Sequence, residues 1–121
     1  MKICITAQGS DPASDIDPRF GRCQYFIFID PATLEFEAVE NPGVNAMGGA
    51  GVQSAQLVAG KEAKAVFTGN VGPNAFRTLQ AAVIDVFVGV SGTVKEALEK
   101  YNEGGLKPAE GPSVDLKAGQ P

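Results

Sequence analysis

The sequence contains no histidine. The commonest general base near neutral pH and the commonest transition-metal ligand are therefore both missing. No Ser–His or Cys–His catalytic arrangement can be built. There is no G-x-S-x-G and no G-x-x-x-x-G-K-[ST] either, which excludes a nucleophile elbow and a P-loop. Cysteine occurs only twice in 121 residues, as Cys4 and Cys23. That is too few for a disulfide framework and fits a reducing, cytoplasmic location. No apolar run approaches the length of a membrane span, and the opening MKICITA is too short for a signal-peptide core. Basic residues are also scarce, ten against fourteen acids for a formal charge of −4. Nucleic-acid binders usually carry a basic face, so neither nucleic acid nor membrane is expected as a partner.

What is present reads as one small α/β domain with a hydrophobic fraction of 44%, an ordinary value for a single core. The first strand is expected over Lys2 to Ala7 and a polar, proline-broken loop over Gln8 to Gly21. The aromatic run Cys23 to Asp30 reads as a strand covered on both faces. After a turn at Asp30-Pro31-Ala32-Thr33, the segment Leu34 to Glu40 shows one polar face and completes a hairpin at a sheet edge. Helices are expected from Gly48–Gly51 to about Ala59, from Pro73 to near Ala82, and over Val94 to Asn102, with strands at Ala65 to Thr68 and Ile84 to Val88. In the last helix Glu96 and Lys100 stand four apart in the favourable order. The order βββαβαβα predicts a five-stranded mixed sheet, 3-2-1-4-5, flanked by helices. The glycine- and proline-rich segment 104–121 reads as a flexible tail outside the domain at 1–103.

Three glycine-rich turns lead into the helices. They are Gly48-Gly49-Ala50-Gly51, Gly69-Asn70-Val71-Gly72-Pro73 and Gly89-Val90-Ser91-Gly92-Thr93. In the predicted sheet all three lie at or beside one edge. A helix N-terminus presents free N–H groups and roughly half a positive charge, and glycine allows close backbone approach. The combination suits an anion. Arg19 and Arg22, two of only three arginines, approach the same edge. A purely architectural role for the glycines is the competing reading. A nucleotide fits poorly, because Ser54 occupies the third-glycine position of the dinucleotide fingerprint and no acid follows to take a ribose.

Other groups are open to two readings. Cys4 and Cys23 are two buried thiols, or else Cys23 beside Arg22 is a thiolate of lowered pKa and a ligand. Met47 is packing or a soft ligand. Asp11, Asp15 and Asp17 form a solvated loop or gather a hard cation, without an EF-hand pattern.

Several segments together are more specific: Arg19-Phe20-Gly21-Arg22 followed by Tyr25-Phe26-Ile27-Phe28, then Asn41-Pro42, then Gly48-Gly49-Ala50-Gly51-Val52-Gln53 with Ala55-Gln56, then Thr68 through Phe76. Over Met1 to Asn102 the chain resembles the dinitrogenase iron–molybdenum cofactor biosynthesis family, which includes NifX, the C-terminal part of NifB and small stand-alone proteins. The resemblance implies a ribonuclease-H-like fold. It implies a non-enzymatic role, binding and delivering an anionic metal–sulfur cluster or its precursor, with molybdenum- or iron-containing sulfide as cargo and cluster-assembly proteins as partners. The cargo site would comprise Arg19, Arg22, Gly48, Gly49, Gly51, Gly69, Asn70 and Gly72, with Cys23 and Met47 as the available metal ligands. A nuclease is not implied, since the first strand, KICITA, has no central carboxylate. The alternative is an interaction module of the same fold without a cluster, using the edge strand or the tail.

Overall fold

A computed structural model describes residues 1–43 and 49–112. The elements are β1 (Ile3–Ala7), β2 (Tyr25–Ile29), β3 (Phe36–Glu40), α1 (Ala50–Gly60), β4 (Ala65–Phe67), α2 (Pro73–Ala81), β5 (Asp85–Phe87) and α3 (Val94–Asn102). The five strands form one sheet in the order β3-β2-β1-β4-β5, as the sequence predicts. β2 runs antiparallel to β1 and β3, while β4 runs parallel to β1 and β5.

The two unbroken apolar runs become the central strands. Every residue of β1 is buried, and all of β2 except Tyr25, as strands covered on both faces require. Alternation then sorts the side chains into two cores. Cys4, Phe26, Phe28, Val66 and Val86 meet Ala55 and Val58 of α1 and Phe76 and Leu79 of α2. Ile3, Ile5, Ile27, Phe67 and Phe87 meet Val94, Ala97 and Leu98 of α3 on the other face. Three layers result, with α1 and α2 on one side and α3 on the other.

β3 begins two residues later than expected, because the preceding turn is longer. Asp30 Oδ1 accepts from the N–H groups of Ala32 and Thr33 at 2.8 and 3.2 Å, and Leu34 N donates to the Asp30 carbonyl at 2.8 Å. Leu34 sits at φ 65°, outside strand geometry. The loop between β1 and β2 is also more ordered than its composition suggests. It is pinned by isolated bridges Ala7–Ile16 and Asp15–Thr93, and Ile16 is buried.

Because β3 is two antiparallel steps from β1, it points the same way as β1, β4 and β5. The chain therefore leaves the sheet at one edge after all four strands. That edge gathers the β1–β2 loop and the N-termini of all three helices. Beyond α3 the chain turns back along β5, where Ala109 N donates to the Val86 carbonyl at 2.6 Å, with Leu106 and Ala109 against the two cores. No described helix is long and apolar enough to cross a membrane.

Candidate anion cleft at the carboxyl edge of the sheet

The three glycine turns do not end alike. At α3, Thr93 Oγ1 accepts from Glu96 N at 3.1 Å and Glu96 Oε1 accepts from Thr93 N at 2.9 Å. This capping box closes the third N-terminus from within. Glu96 thus turns back on the Thr93 backbone, and the hydrogen bond from Thr93 N holds its carboxyl below the usual range. It does not pair with Lys100 among the described ion pairs.

α1 and α2 are different. Their N-caps are Gly49, in the left-handed region at φ 69°, and Gly72, extended at φ −82° and ψ 171°, and neither helix has a side-chain cap. The first intrahelical donors are Gln53 N to Gly49 O at 2.9 Å and Phe76 N to Gly72 O at 3.0 Å. Ahead of them, the N–H groups of Ala50, Gly51 and Val52 in α1 and of Asn74 and Ala75 in α2 belong to the first turns, where a helix supplies no partner of its own. Pro73 has no donor to leave orphaned. The two helix starts face each other across a shallow cleft of about 250 Å³, lined by residues 49–52, residues 72–75 and Phe20. No acidic side chain lines it. Two larger cavities, of about 510 and 350 Å³, are lined by Asp30, Glu35, Glu37 and Glu62 together with Met1, Lys2 and Lys64, and by Glu96, Glu99 and Glu103 together with Lys100. Volume alone favours those two, but in each the carboxylates outnumber the cations, which suits an anion poorly. The chemistry therefore selects the small cleft.

Phe20 reaches the cleft because its loop is tied down on both sides. Phe20 N donates to Asn70 O at 3.2 Å and Asn70 N to Pro18 O at 2.8 Å, so residues 18–20 run beside the turn after β4. A Cβ at Gly69 would meet Pro18 Cα at 2.6 Å, so no side chain fits there. Gly21, at φ +95°, lies on the start of α1, where a Cβ would stand 3.0 Å from Gly51 N and Cα. Both the backbone conformation and the contact require glycine there.

Beneath this loop lies a polar cluster. Asp17 is 1% exposed; Arg19 Nε reaches its Oδ1, and Nη2 its Oδ2, both at 3.2 Å. Thr6 Oγ1 donates to the Asp17 carbonyl at 2.7 Å and lies 2.9 Å from Thr68 Oγ1. The solvated reading of the three aspartates is therefore corrected at Asp17, which is buried and paired. Asp11 instead accepts from Ala13 N at 2.8 Å in its own turn. Among the described residues no group of three His, Cys, Asp or Glu side chains could hold a metal ion.

Cys23 is fully buried in the α1–α2 core, and both cysteines are free thiols. Burial, followed by the nearby charge of Asp17, pushes the Cys23 thiol up to about 12. Of the two readings the buried thiol is the one found, because desolvation and the Asp17 carboxylate both disfavour a thiolate here. Cys4 is likewise pushed well up, mainly by burial. Asn41 fixes the segment from the other side. Its Nδ2 donates to the carbonyls of Gly21 and Cys23, each at 3.0 Å, and its Oδ1 accepts from Gly43 N at 2.9 Å.

Of the residues expected at the site, Gly49, Gly51 and Gly72 line the cleft. Gly69 and Asn70 position its Phe20 wall. Arg19 and Arg22 flank Phe20 without lining the cleft, and Arg19 spends its guanidinium on Asp17. Cys23 sits in the core, and Met47 and Gly48 fall outside the described residues. Phe20, Asp17 and Asn41 escaped the sequence reading as site builders, although Thr6 as the one hydroxyl in an apolar strand marks where the polar cluster forms.

Known proteins agree with this architecture. The apo form of the orange protein from Desulfovibrio gigas superposes with a TM-score of 0.90 at 39% identity, covering 93% of this chain and 96% of that one. A putative NifB protein from Thermotoga gives a TM-score of 0.76 at 36% identity, covering 88% and 91%. An uncharacterized protein from Methanocaldococcus jannaschii is 32% identical over 113 residues, covering 91% of this chain and 92% of its own length. The family model described as dinitrogenase iron-molybdenum cofactor matches residues 1–104, and the chain belongs to that family.

Proposed function

We propose that this protein carries an anionic metal–sulfur cluster or its precursor, of the molybdenum- or iron-containing sulfide type, in the cleft between α1 and α2. It would hand this cargo to cluster-assembly proteins. The observation that carries the reading is the pair of helix starts, α1 and α2, which lack side-chain caps and together line a cleft with no acidic wall. Sulfide clusters carry negative charge and accept hydrogen bonds at sulfur. Two helix N-termini contribute about 0.3–1 kcal/mol each where exposed, and up to about 2 kcal/mol where partly buried.

Retention by backbone donors also fits the ligand inventory. There is no histidine, and the Cys23 thiol is held protonated far above neutral pH. A cargo held without a thiolate or imidazole bond can leave without ligand exchange, as a delivery role requires. The ribonuclease-H-like label and a cytoplasmic location belong to this reading. The label is supported by the mixed sheet with β1 central and helices on both faces.

The test is anaerobic reconstitution with iron, sulfide and molybdate, followed by desalting, visible absorption and metal analysis. A coloured protein with a raised melting temperature is expected, since a ligand that binds only the folded state stabilises it. A colourless protein with an unchanged melting temperature refutes the proposal.

A further inference from the structure

The outer edge of β5 is closed by the chain itself. Asp85 N donates to Lys64 O at 3.1 Å and Thr68 N to Phe87 O at 3.0 Å, so the backbone groups of Asp85 and Phe87 face β4. By strand alternation those of Val86 and Val88 point outward. There the Val86 carbonyl accepts from Ala109 N at 2.6 Å, within the segment 105–112 that follows α3. The chain reverses into this segment at Gly104, where φ is 78°, and Gly105 N closes α3 on Lys100 O at 2.8 Å. Leu106 then packs on the α3-side core, and Ala109, three residues on, packs on the α1–α2 core. The odd spacing sets the two side chains on opposite faces, as an extended strap over a sheet edge requires.

Three features set the strap apart from the domain it covers. Its hold is slight. Beyond Gly105 the described residues give it one backbone hydrogen bond and two half-buried apolar side chains, against the cost of ordering the whole segment. Pro108 and Pro112 have no N–H to add. Its fit is incomplete, because a cavity of about 350 Å³ is left beside Leu106, against residues 89–91 and Ala97 of α3. Finally, the family match ends at residue 104. The edge therefore lies inside the matched part and its cover outside it.

We propose that the β5 edge is a docking groove for an extended segment of a partner protein, with residues 105–112 as its built-in occupant. The seated strap shows what fits. A large apolar residue lies against the α3-side core, and three places on a small residue sends its N–H to the Val86 carbonyl. A foreign segment has to compete with a tethered one, which enjoys a high effective concentration. It gains at the unfilled cavity, where an aromatic residue buries more apolar surface than Leu106 does. This is strand addition with an internal ligand already in the site. The proposal does not depend on the cleft or its cargo.

The probe is a fluorescein-labelled GLKPAEGP peptide added to the full chain, read by anisotropy and by amide shifts in the protein. In the wild type the tethered strap competes and binding is weak. Leu106→Asp/Ala109→Pro removes the packing and the one donor of the strap without altering the domain. This double variant should bind the peptide at least tenfold more tightly, with shifts at Val86, Phe87 and Val88. GFKPAEGP should bind it more tightly still, and GDKPPEGP should not bind. In the wild type, hydrogen exchange should release the Ala109 amide well before those of β1 and β2. The proposal is overturned if the double variant binds no better than the wild type, if GFKPAEGP gains nothing over GLKPAEGP, or if GDKPPEGP binds equally well. Shifts that map to the β3 edge or the cleft also overturn it. So does an Ala109 amide as protected as β1, or a double variant that unfolds, since the segment is then part of the core. A wild type that sediments as a dimer with exchanged straps makes a second copy the occupant and overturns it too.

Discussion

Replacing Gly72 with Asp should strengthen the fold and weaken cargo binding at once. Gly72 is the N-cap of α2 in extended geometry, φ −82° and ψ 171°, and a Cβ there meets nothing within 4 Å. Aspartate is a preferred N-cap, better than glycine by a few tenths of a kcal/mol. Its charge at the helix start contributes about 0.3–1 kcal/mol, and loss of glycine freedom in the unfolded chain adds about 0.4–1 kcal/mol. Together these predict a gain of about 1–2 kcal/mol, a rise in melting temperature of roughly 4–8 °C for a chain of this size. The same carboxylate takes N–H groups of Asn74 or Ala75 and sets a negative charge at the cleft. Against a unit charge at roughly 5 Å and an effective dielectric near 20, the repulsion is about 3 kcal/mol, or more than 100-fold in affinity. Gly72→Asn is the neutral control, with a similar cap and no charge penalty. Calorimetry and cargo titration of the three proteins separate the terms. A Gly72→Asp protein that is stabilised yet binds cargo as well as the wild type refutes the placement of the site.

Asn41→Leu leaves the carbonyls of Gly21 and Cys23 and the N–H of Gly43 without their partner in a buried site. A loss of about 3 kcal/mol in urea unfolding is expected, together with weaker cargo binding, because Gly21 carries the loop against the start of α1. Cys23 should resist alkylation in the native state at pH 8 and react only on unfolding. Its folded thiol stays protonated to about 12 while the unfolded thiol ionises near 9.0. The folded state therefore binds the extra proton, and stability should fall as pH climbs from about 9 towards 12. Denaturation midpoints at pH 8, 9.5 and 11, compared between wild type and Cys23→Ala, check the sign.

The sheet was legible because its signals were long and redundant. Two uninterrupted apolar strands had to be central, an alternating one had to lie at an edge, and the β-α-β-α spacing left one economical order. Boundaries moved where local hydrogen bonds competed with propensity, as at Asp30, whose carboxylate draws Leu34 into a turn. The glycine turns marked the right edge of the sheet but could not be ranked from sequence. Thr93 and Glu96 form the capping pattern that closes α3, and reading it would have reduced three candidate N-termini to two. Polarity alone misled at Asp17, because a buried carboxylate needs a partner that only the folded loop supplies, here Arg19. At Cys23 the choice between buried thiol and thiolate needed the fold, which supplies both the burial and the nearby Asp17 carboxylate that disfavour the thiolate.

The central claim is that cargo sits on backbone N–H groups of α1 and α2, and a backbone amide titration tests it most directly. Cargo reconstituted anaerobically into isotopically labelled protein should shift or broaden the amides of Ala50, Gly51, Val52, Asn74 and Ala75. The amides of Thr93, Val94 and Lys95 at the capped start of α3 should stay in place. Cargo that perturbs the α3 start or the opposite end of the sheet, and leaves the α1 and α2 amides untouched, contradicts the account.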